Sequence, residues 1–201
     1  MCGFESHLVH LTTLSLVLDS PPLQALHRCG ALALLPGAYA AVVVPRSIAD
    51  ETARSRAIEG ADRVPELAEH PGVAIRVVDD ETLTAAGAVL LGTVRSTTQY
   101  RLDVHRVDRP ELEVVLLARQ LGAVAVVEDK AALRVAHKLA IPVVGTAQLL
   151  CDLERRGLLG DAVTAARTIR ATKYLTKDLV LLASGVRLRQ WRTELEPQVR
   201  R

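Results

Sequence analysis

The stretch that decides the fold is GAVAVVEDKAALRVAHKLAIPVVGT, residues 122–146, in which two apolar runs flank a helical pattern. The first run, residues 124–127, ends in the adjacent acids Glu128 and Asp129, and the second, residues 141–144, ends at Gly145. Near-continuous runs of Val and Leu separated by helices indicate strands that are buried on both faces, as in parallel α/β sheets. The stretch therefore predicts two parallel strands joined by a helix, with carboxylates where the first strand ends.

The same alternation continues along the rest of the chain. Further strands are predicted at 14–18, 39–45 and 73–79, and helices at 21–30, 46–60, 63–72, 81–93 and 109–122. The last of these helices has apolar residues at helical spacing and stops at Gly122. Residues 147–185 read as helices with breaks near 157–161 and 174–176. We predict one domain over residues 1–201, with a three-layer α/β/α fold around a central parallel sheet. Its parts are a core at 14–185, an N-terminal extension at 1–12 and a basic C-terminal tail at 186–201.

Composition and charge restrict the function only loosely. The chain has 201 residues, of which 49% are apolar and 2% aromatic, and its net charge is +2. The Arg-rich tail is as typical of a solvated terminus as of a nucleic-acid contact. Cys2, Cys29 and Cys151 stand in no metal-ligand spacing, which favours reduced thiols in the cytosol. The chain has no apolar run of about 18 residues and no basic signal-peptide start, so we expect a cytoplasmic protein without a membrane partner.

Acidic residues follow the predicted strands or begin the helix that leads into one. Because ligands of open parallel sheets bind beyond the carboxyl ends of the strands, we expect these acids to meet at one edge. Carboxylates in one cleft repel each other unless a divalent cation neutralises them. Oxygen ligands favour Mg²⁺ or Mn²⁺ over zinc, and such ions serve phosphodiester hydrolysis. The candidate metal-binding and catalytic residues are Asp19, Glu51, Glu111, Glu113 and Asp129.

Each acid also has a purely structural interpretation. Asp19 and Asp129 precede helices and are suited to cap them. Glu51 lies in a charged helix, where most acids face solvent. Glu111 and Glu113 lie in the first turns of a helix, where acids complement the helix dipole. The sequence leaves both interpretations open.

Four segments occur in an order known from one protein family: LVLDSPPLQALHRCGALALLP, VVVPRSIADETA, RPELEVVLLARQLGAVAVVEDKAALRVAHKLAIPVVGTAQLLCDLERRGLL and YLTKDLVLLASG. In these segments the chain resembles the PIN domain, specifically its branch of short prokaryotic, toxin-type proteins. The third segment is the most specific, because its strand, acid pair, basic residue, helix and VVGT appear in family order. Together the segments cover most of residues 14–185.

The resemblance implies a metal-dependent ribonuclease that uses Mg²⁺ or Mn²⁺. Asp19 would be the central metal ligand, and Glu51 would hold a metal directly or through water. Asp129 would complete the site together with Glu111 or Glu113. Three neighbours are implied as secondary contacts, the last of them to a phosphate: Ser20, Glu128 and Lys130.

The chain departs from the family pattern in three places. Pro110 stands where the family branch usually has Gly, which leaves open whether Glu111 or Glu113 points into the site. Proline is accepted in a first helical turn, so the helix start is expected to survive. Residues 95–107 and the tail after Gly185 have no counterpart in the family that we can align.

The leading hypothesis is a Mg²⁺- or Mn²⁺-dependent endoribonuclease that cuts single-stranded or looped RNA. The resemblance adds two expectations, a protein antitoxin as partner of a toxin-type relative and assembly as a homodimer. The alternative is a catalytically inactive PIN-like module that binds RNA or a protein, although scarce aromatic residues leave little surface for base stacking. A nucleotide-binding Rossmann-type domain ranks last, because LDSPP occupies the turn where G-x-G-x-x-G would stand.

Overall fold

The centre of the molecule is a five-stranded, all-parallel sheet, seen in a computed structural model that describes residues 14–54, 70–78, 107 and 109–171. The sheet has the strand order β3-β2-β1-β4-β5. Its strands, in chain order from β1 to β5, are Ser15–Leu18, Ala41–Pro45, Val73–Arg76, Val124–Val126 and Val143–Val144. Helices complete a three-layer α/β/α fold, so the predicted fold class is confirmed.

Helices connect the strands, mostly in the predicted order, although the sequence pattern predicts no helix between residues 31 and 38. The helices, numbered α1 to α7 in chain order, are Ser20–Arg28, Leu35–Ala38, Arg46–Arg54, Arg109–Leu121, Lys130–Lys138, Thr146–Arg155 and Ala162–Ala171. A short 3₁₀ turn, Leu32–Leu34, precedes α2. The predicted break near 157–161 separates α6 from α7. The remaining predictions, at 55–69, 81–93, 95–106 and 172–185, and those for the two chain ends, fall outside the described residues.

The described strands follow the predicted apolar runs but are shorter, and the pairing geometry explains where they end. Pro45 is the last residue of β2 and pairs with Arg76, so β3 loses its partner there. Beyond that point Val77 is 72% exposed. At the other edge of the sheet, Pro142 cannot donate a backbone hydrogen bond, and the ladder of β5 begins at Val143.

Side chains of consecutive strand residues are buried, as expected for a parallel sheet that is covered on both faces. Leu16, Val17 and Leu18 of β1 are all buried, and so are the three residues of β4. Helix α4 is part of the same core, since its residues 113–118 are buried without interruption and it contacts β1, β2 and β4. The first turn of α4 is therefore mounted on a rigid platform beside the carboxyl ends of these strands.

The order of the strands creates a binding crevice at one point. The chain runs from β1 outward to β2 and β3, and returns to place β4 on the opposite side of β1. Such a reversal between neighbouring parallel strands opens a crevice at their carboxyl ends, the usual ligand site of this architecture. Leu18 is in register with Val126, and the backbone N–H of Asp19 donates to the Val126 carbonyl at 3.0 Å. Asp19 is thus fixed at the reversal.

Candidate active site

Asp19 is the residue on which the site is built. It follows the buried strand β1 and is the N-cap of α1, where its Oδ1 accepts a hydrogen bond from the Ser20 N–H at 2.8 Å. The residue is 2% exposed, and its Oδ2 is buried without a hydrogen-bond partner among the described residues. A buried carboxylate oxygen without a donor is costly, and a proton or a cation relieves that cost.

The prolines after Ser20 explain why Oδ2 lacks a donor. An N-cap side chain ordinarily accepts from the backbone N–H of the second or third helical residue, and here those residues are Pro21 and Pro22. Proline has no N–H, so neither position can donate to Asp19. The two proline rings preorganise the first turn of α1. They also leave Oδ2 of Asp19 without a backbone hydrogen-bond donor.

The pKa of Asp19 reflects this environment. The pKa is raised from 3.8 to about 7, and burial is the largest cause. The hydrogen bond from the Ser20 N–H lowers the pKa, whereas the negative charges of Glu111, Glu51 and Asp129 contribute to the rise. Three predicted site acids are therefore close enough to Asp19 to act on it electrostatically.

A cleft of about 370 Å³ lies in front of Asp19. Its lining comes from the end of β1 and the starts of α1 and α4, with one residue from within α3. The described lining residues are Asp19, Ser20, Pro21, Glu51, Arg109, Pro110 and Glu111. Three carboxylates from distant parts of the sequence thus share one cleft, at the edge where the sequence predicts a metal site.

The structure distinguishes Glu111 from Glu113 on α4, which the sequence alone does not. Glu111 lines the cleft. Glu113 is 4% exposed and makes other contacts, since its Oε2 accepts from the Ser47 hydroxyl and its Oε1 accepts from the Arg109 Nε–H at 3.1 Å. Residues two positions apart on a helix point in different directions. Glu111 is therefore the glutamate whose side chain borders the cleft, and Glu113 supports the wall behind it.

The two acids after β4 accept hydrogen bonds from backbone N–H groups at the starts of helices. Asp129 is exposed and caps α5, with its Oδ1 accepting from the Ala131 and Ala132 N–H groups at 2.6 and 3.0 Å. The capping interpretation accounts for these contacts, and the charge of Asp129 still acts on Asp19. Glu128 accepts from the Thr146 N–H at 2.7 Å and so joins the end of β4 to the start of α6. Lys130 is exposed at the first position of α5.

The donor set fits a hydrated hard cation better than a fully protein-coordinated one. Within 14–54, 70–78 and 109–171, no group of three or more His, Cys, Asp or Glu side chains is placed to hold one ion directly. Mg²⁺ retains several waters and is commonly bound through one or two carboxylates. The unpartnered Oδ2 of Asp19 is a suitable direct ligand, and Glu51 and Glu111 border the space that a hydration shell would fill.

Arg109 is the site residue that the sequence reasoning missed. It lines the cleft beside the three carboxylates and forms an ion pair with Glu113. The signal was present in the sequence, because Arg109 and Glu113 are four residues apart on a helix that was predicted from its periodicity. Its direction toward the cleft depends on the rotation of α4, which the sequence alone does not determine.

The fold and the cleft define a class of protein, a parallel α/β domain with a carboxylate cluster where the strand order reverses. Residues 15–182 match the model of a family described as a PIN domain, and the chain therefore belongs to the PIN-domain family. A comparison with curated proteins gives no match. PIN domains are generally nucleases and typically depend on a divalent metal, so the chain has a nuclease-type fold. None of the helices that the structure describes is long and apolar enough to cross a membrane.

Proposed function

We propose that this PIN-domain protein is an endoribonuclease that hydrolyses RNA phosphodiester bonds with the help of Mg²⁺ or Mn²⁺. The observation that supports the proposal is the buried, unpartnered Oδ2 of Asp19, a residue that lines one cleft together with Glu51 and Glu111. A fold does not ordinarily keep such an oxygen without a donor unless a ligand satisfies it. The bound ion supplies an activated water and stabilises negative charge on the phosphate.

The residues of the cleft have distinct roles in this proposal. Asp19 would hold the ion through Oδ2, while Oδ1 accepts the hydrogen bond from the Ser20 N–H that fixes the orientation of the carboxylate. Glu51 and Glu111 orient the water molecules of the cleft, since both border it from separate helices. Asp129 adds negative potential from the end of β4. Glu113 stays behind the wall of the cleft and supports it.

Cleavage of RNA by purified protein tests the proposal. A labelled single-stranded RNA is incubated with the protein and Mn²⁺ or Mg²⁺, with and without a chelator. We expect cleavage that depends on the ion and is lost in Asp19→Asn. Asp50→Asn is the matched control, because Asp50 is exposed on α3 beside Glu51 but is not among the described lining residues of the cleft. Equal cleavage by Asp19→Asn, or cleavage that persists in chelator, contradicts the proposal.

The alternative is a PIN-like module that binds RNA or a protein without cutting. It is favoured by the lack, in the described ranges, of three ligands already placed around one ion. Titration with Mn²⁺ in a calorimeter separates the two functions. A catalytic site binds the ion and weakens in Asp129→Asn, whereas a decayed site shows no binding in either protein.

Two narrower features of the proposal come from the resemblance to toxin-type relatives, an antitoxin protein as partner and a homodimer in solution. A third, a cytoplasmic location, comes from the cysteines and the apolar runs of the sequence. Growth arrest on expression of the wild-type chain, absent for Asp19→Asn, would support the toxin role. A sedimentation measurement gives the oligomeric state independently of activity.

A further inference from the structure

Arg109 occupies an unusual place for a cation. It is the first residue of α4 and borders the cleft together with Asp19, Glu51 and Glu111. Its side chain is 64% exposed, while the carboxylate to which its Nε–H donates is only 5% exposed. A charged group is thus present at the mouth of an acidic cleft and is anchored to a buried partner.

Both carboxylate oxygens of Glu113, the partner of Arg109, accept hydrogen bonds. Glu113 Oε1 accepts from the Arg109 Nε–H at 3.1 Å, and its Oε2 accepts from the Ser47 hydroxyl of α3. The backbone of Glu113 belongs to the buried stretch 113–118 of α4 and does not move easily. Exposed ion pairs at this spacing are usually mobile and weak, but a pair with one buried and doubly bonded partner keeps its geometry.

The same contacts connect the two helices that carry the cleft glutamates. Ser47 and Glu51 are four residues apart on α3, and Glu111 and Glu113 are both on α4. The hydrogen bond between Ser47 and Glu113 therefore couples the wall that carries Glu51 to the wall that carries Glu111 and Arg109. Arg109 is thus linked through Glu113 to the helix that carries Glu51.

A polyanion that enters a cleft of three carboxylates is repelled except where a cation receives it. A guanidinium recognises phosphate oxygens through charge-assisted hydrogen bonds, and its terminal nitrogens form a planar pair that matches the phosphate. The Nε–H of Arg109 donates to Glu113 and the side chain borders the cleft, so a phosphate that enters the cleft meets the guanidinium at this wall.

We propose that Arg109 binds a backbone phosphate of the nucleic acid next to the acidic cleft, and that Glu113 is the positioning residue that holds it there. The inference rests on the proposed nuclease function, but it concerns binding and is measurable without cleavage. In a purely structural role, by contrast, Arg109 would only compensate the buried charge of Glu113.

Binding is measured with the full chain in excess chelator, by fluorescence anisotropy of a short single-stranded RNA at several salt concentrations. We expect Arg109→Gln to weaken binding about tenfold, because a hydrogen bond to a charged group is lost. The slope of log affinity against log salt should decrease by about 0.7, the contribution of one phosphate contact in a single strand. Arg119→Gln is the matched control, since Arg119 is an exposed arginine at the other end of the same helix. Equal affinity and slope in the two variants would overturn the proposal.

The double variant keeps the test decisive if Arg109→Gln alone is unstable, and a full double-mutant cycle adds the role of Glu113 if it is stable. The variant Arg109→Gln/Glu113→Gln removes both charges of the pair and leaves no unpaired buried carboxylate. If Glu113 acts on RNA through Arg109, Glu113→Gln weakens binding when Arg109 is present and has no effect when it is absent. Wild-type affinity in the double variant contradicts the inference. If the wild-type protein with Mn²⁺ does not cleave RNA, but Arg109→Gln still weakens RNA binding as expected, the proposed nuclease function is contradicted and the role of Arg109 in binding is not.

Discussion

Replacement of Asp19 by Asn removes a carboxylate that the folded protein holds at a cost. The pKa of this group is raised from 3.8 to about 7, chiefly by burial. Between those two values the folded protein binds a proton that the unfolded chain has released. The free energy of unfolding therefore falls as pH rises from about 4 to about 7, and the full cost persists at higher pH. Asp19→Asn should relieve this cost and stabilise the metal-free protein at pH 8.

The size of the effect follows from the same two pKa values. A difference between 3.8 and about 7 corresponds to about 4 kcal/mol in the free energy of unfolding. Water in the cleft screens part of this energy, so we expect a gain of about 2 to 4 kcal/mol in the variant. The amide oxygen of Asn can still accept from the Ser20 N–H, which keeps the cap of α1.

Urea denaturation in chelator between about pH 5 and pH 8 measures this effect, with Asp50→Asn as the matched control. The difference in the free energy of unfolding between Asp19→Asn and wild type should grow by about 1.4 kcal/mol for each pH unit up to about pH 7 and then level off. Mn²⁺ at about 100 times its Kd should restore about 2.7 kcal/mol to the wild-type protein and nothing to Asp19→Asn. A difference that does not change with pH would refute the argument from burial.

Three further substitutions test other parts of the structure. At saturating RNA, Glu111→Gln should lower the cleavage rate at least tenfold, whereas Glu113→Gln should mainly lower the free energy of unfolding. Cleavage rates and urea midpoints separate the two variants, and the reverse pattern contradicts the assignment. Tyr39→Phe removes the 2.7 Å hydrogen bond to buried Asp152 and should cost about 1 to 2 kcal/mol in urea denaturation; an unchanged midpoint would show that the bond is not stabilising. Ala140→Gly should raise the free energy of unfolding by about 0.5 to 1 kcal/mol, because Ala140 has a φ of 54°; a loss would show that this backbone conformation is not strained.

The sequence predicts the strands and their order along the chain because parallel strands have a strong local signal. Runs such as residues 124–127 and 141–144 are apolar throughout, and burial on both faces requires that. The ends of the strands are less accurate, since they depend on partners. β3 stops where its partner β2 reaches Pro45, although the apolar run continues to Val78. The residues around Val77 contain no information about a proline more than 30 residues away in the sequence, so the end of β3 cannot be predicted locally.

The candidate site was predictable to the level of the sheet edge and no further. Asp19 lies just beyond a strand, Glu111 lies at a helix start, and Glu51 lies within the helix that follows β2, and all three line one cleft. The choice between Glu111 and Glu113 depends on how α4 is rotated about its axis. That rotation is determined by the long-range packing of α4 on β1, β2 and β4. The role of Arg109 was hidden for the same reason.

Asp19 and Asp129 occupy equivalent positions, yet their surroundings differ in a way that bears on function. Both residues follow neighbouring parallel strands and both cap the next helix. Asp129 is exposed, and its Oδ1 accepts hydrogen bonds from two backbone N–H groups of the helix that it caps. Asp19 is buried and precedes Pro21 and Pro22, so the donors that satisfy Asp129 have no equivalent in α1. A cap that served stability alone would use those donors. The sequence DSPP instead leaves one oxygen of a buried carboxylate without a hydrogen bond, in a residue that lines the cleft, so a cation can take the place of the missing N–H groups.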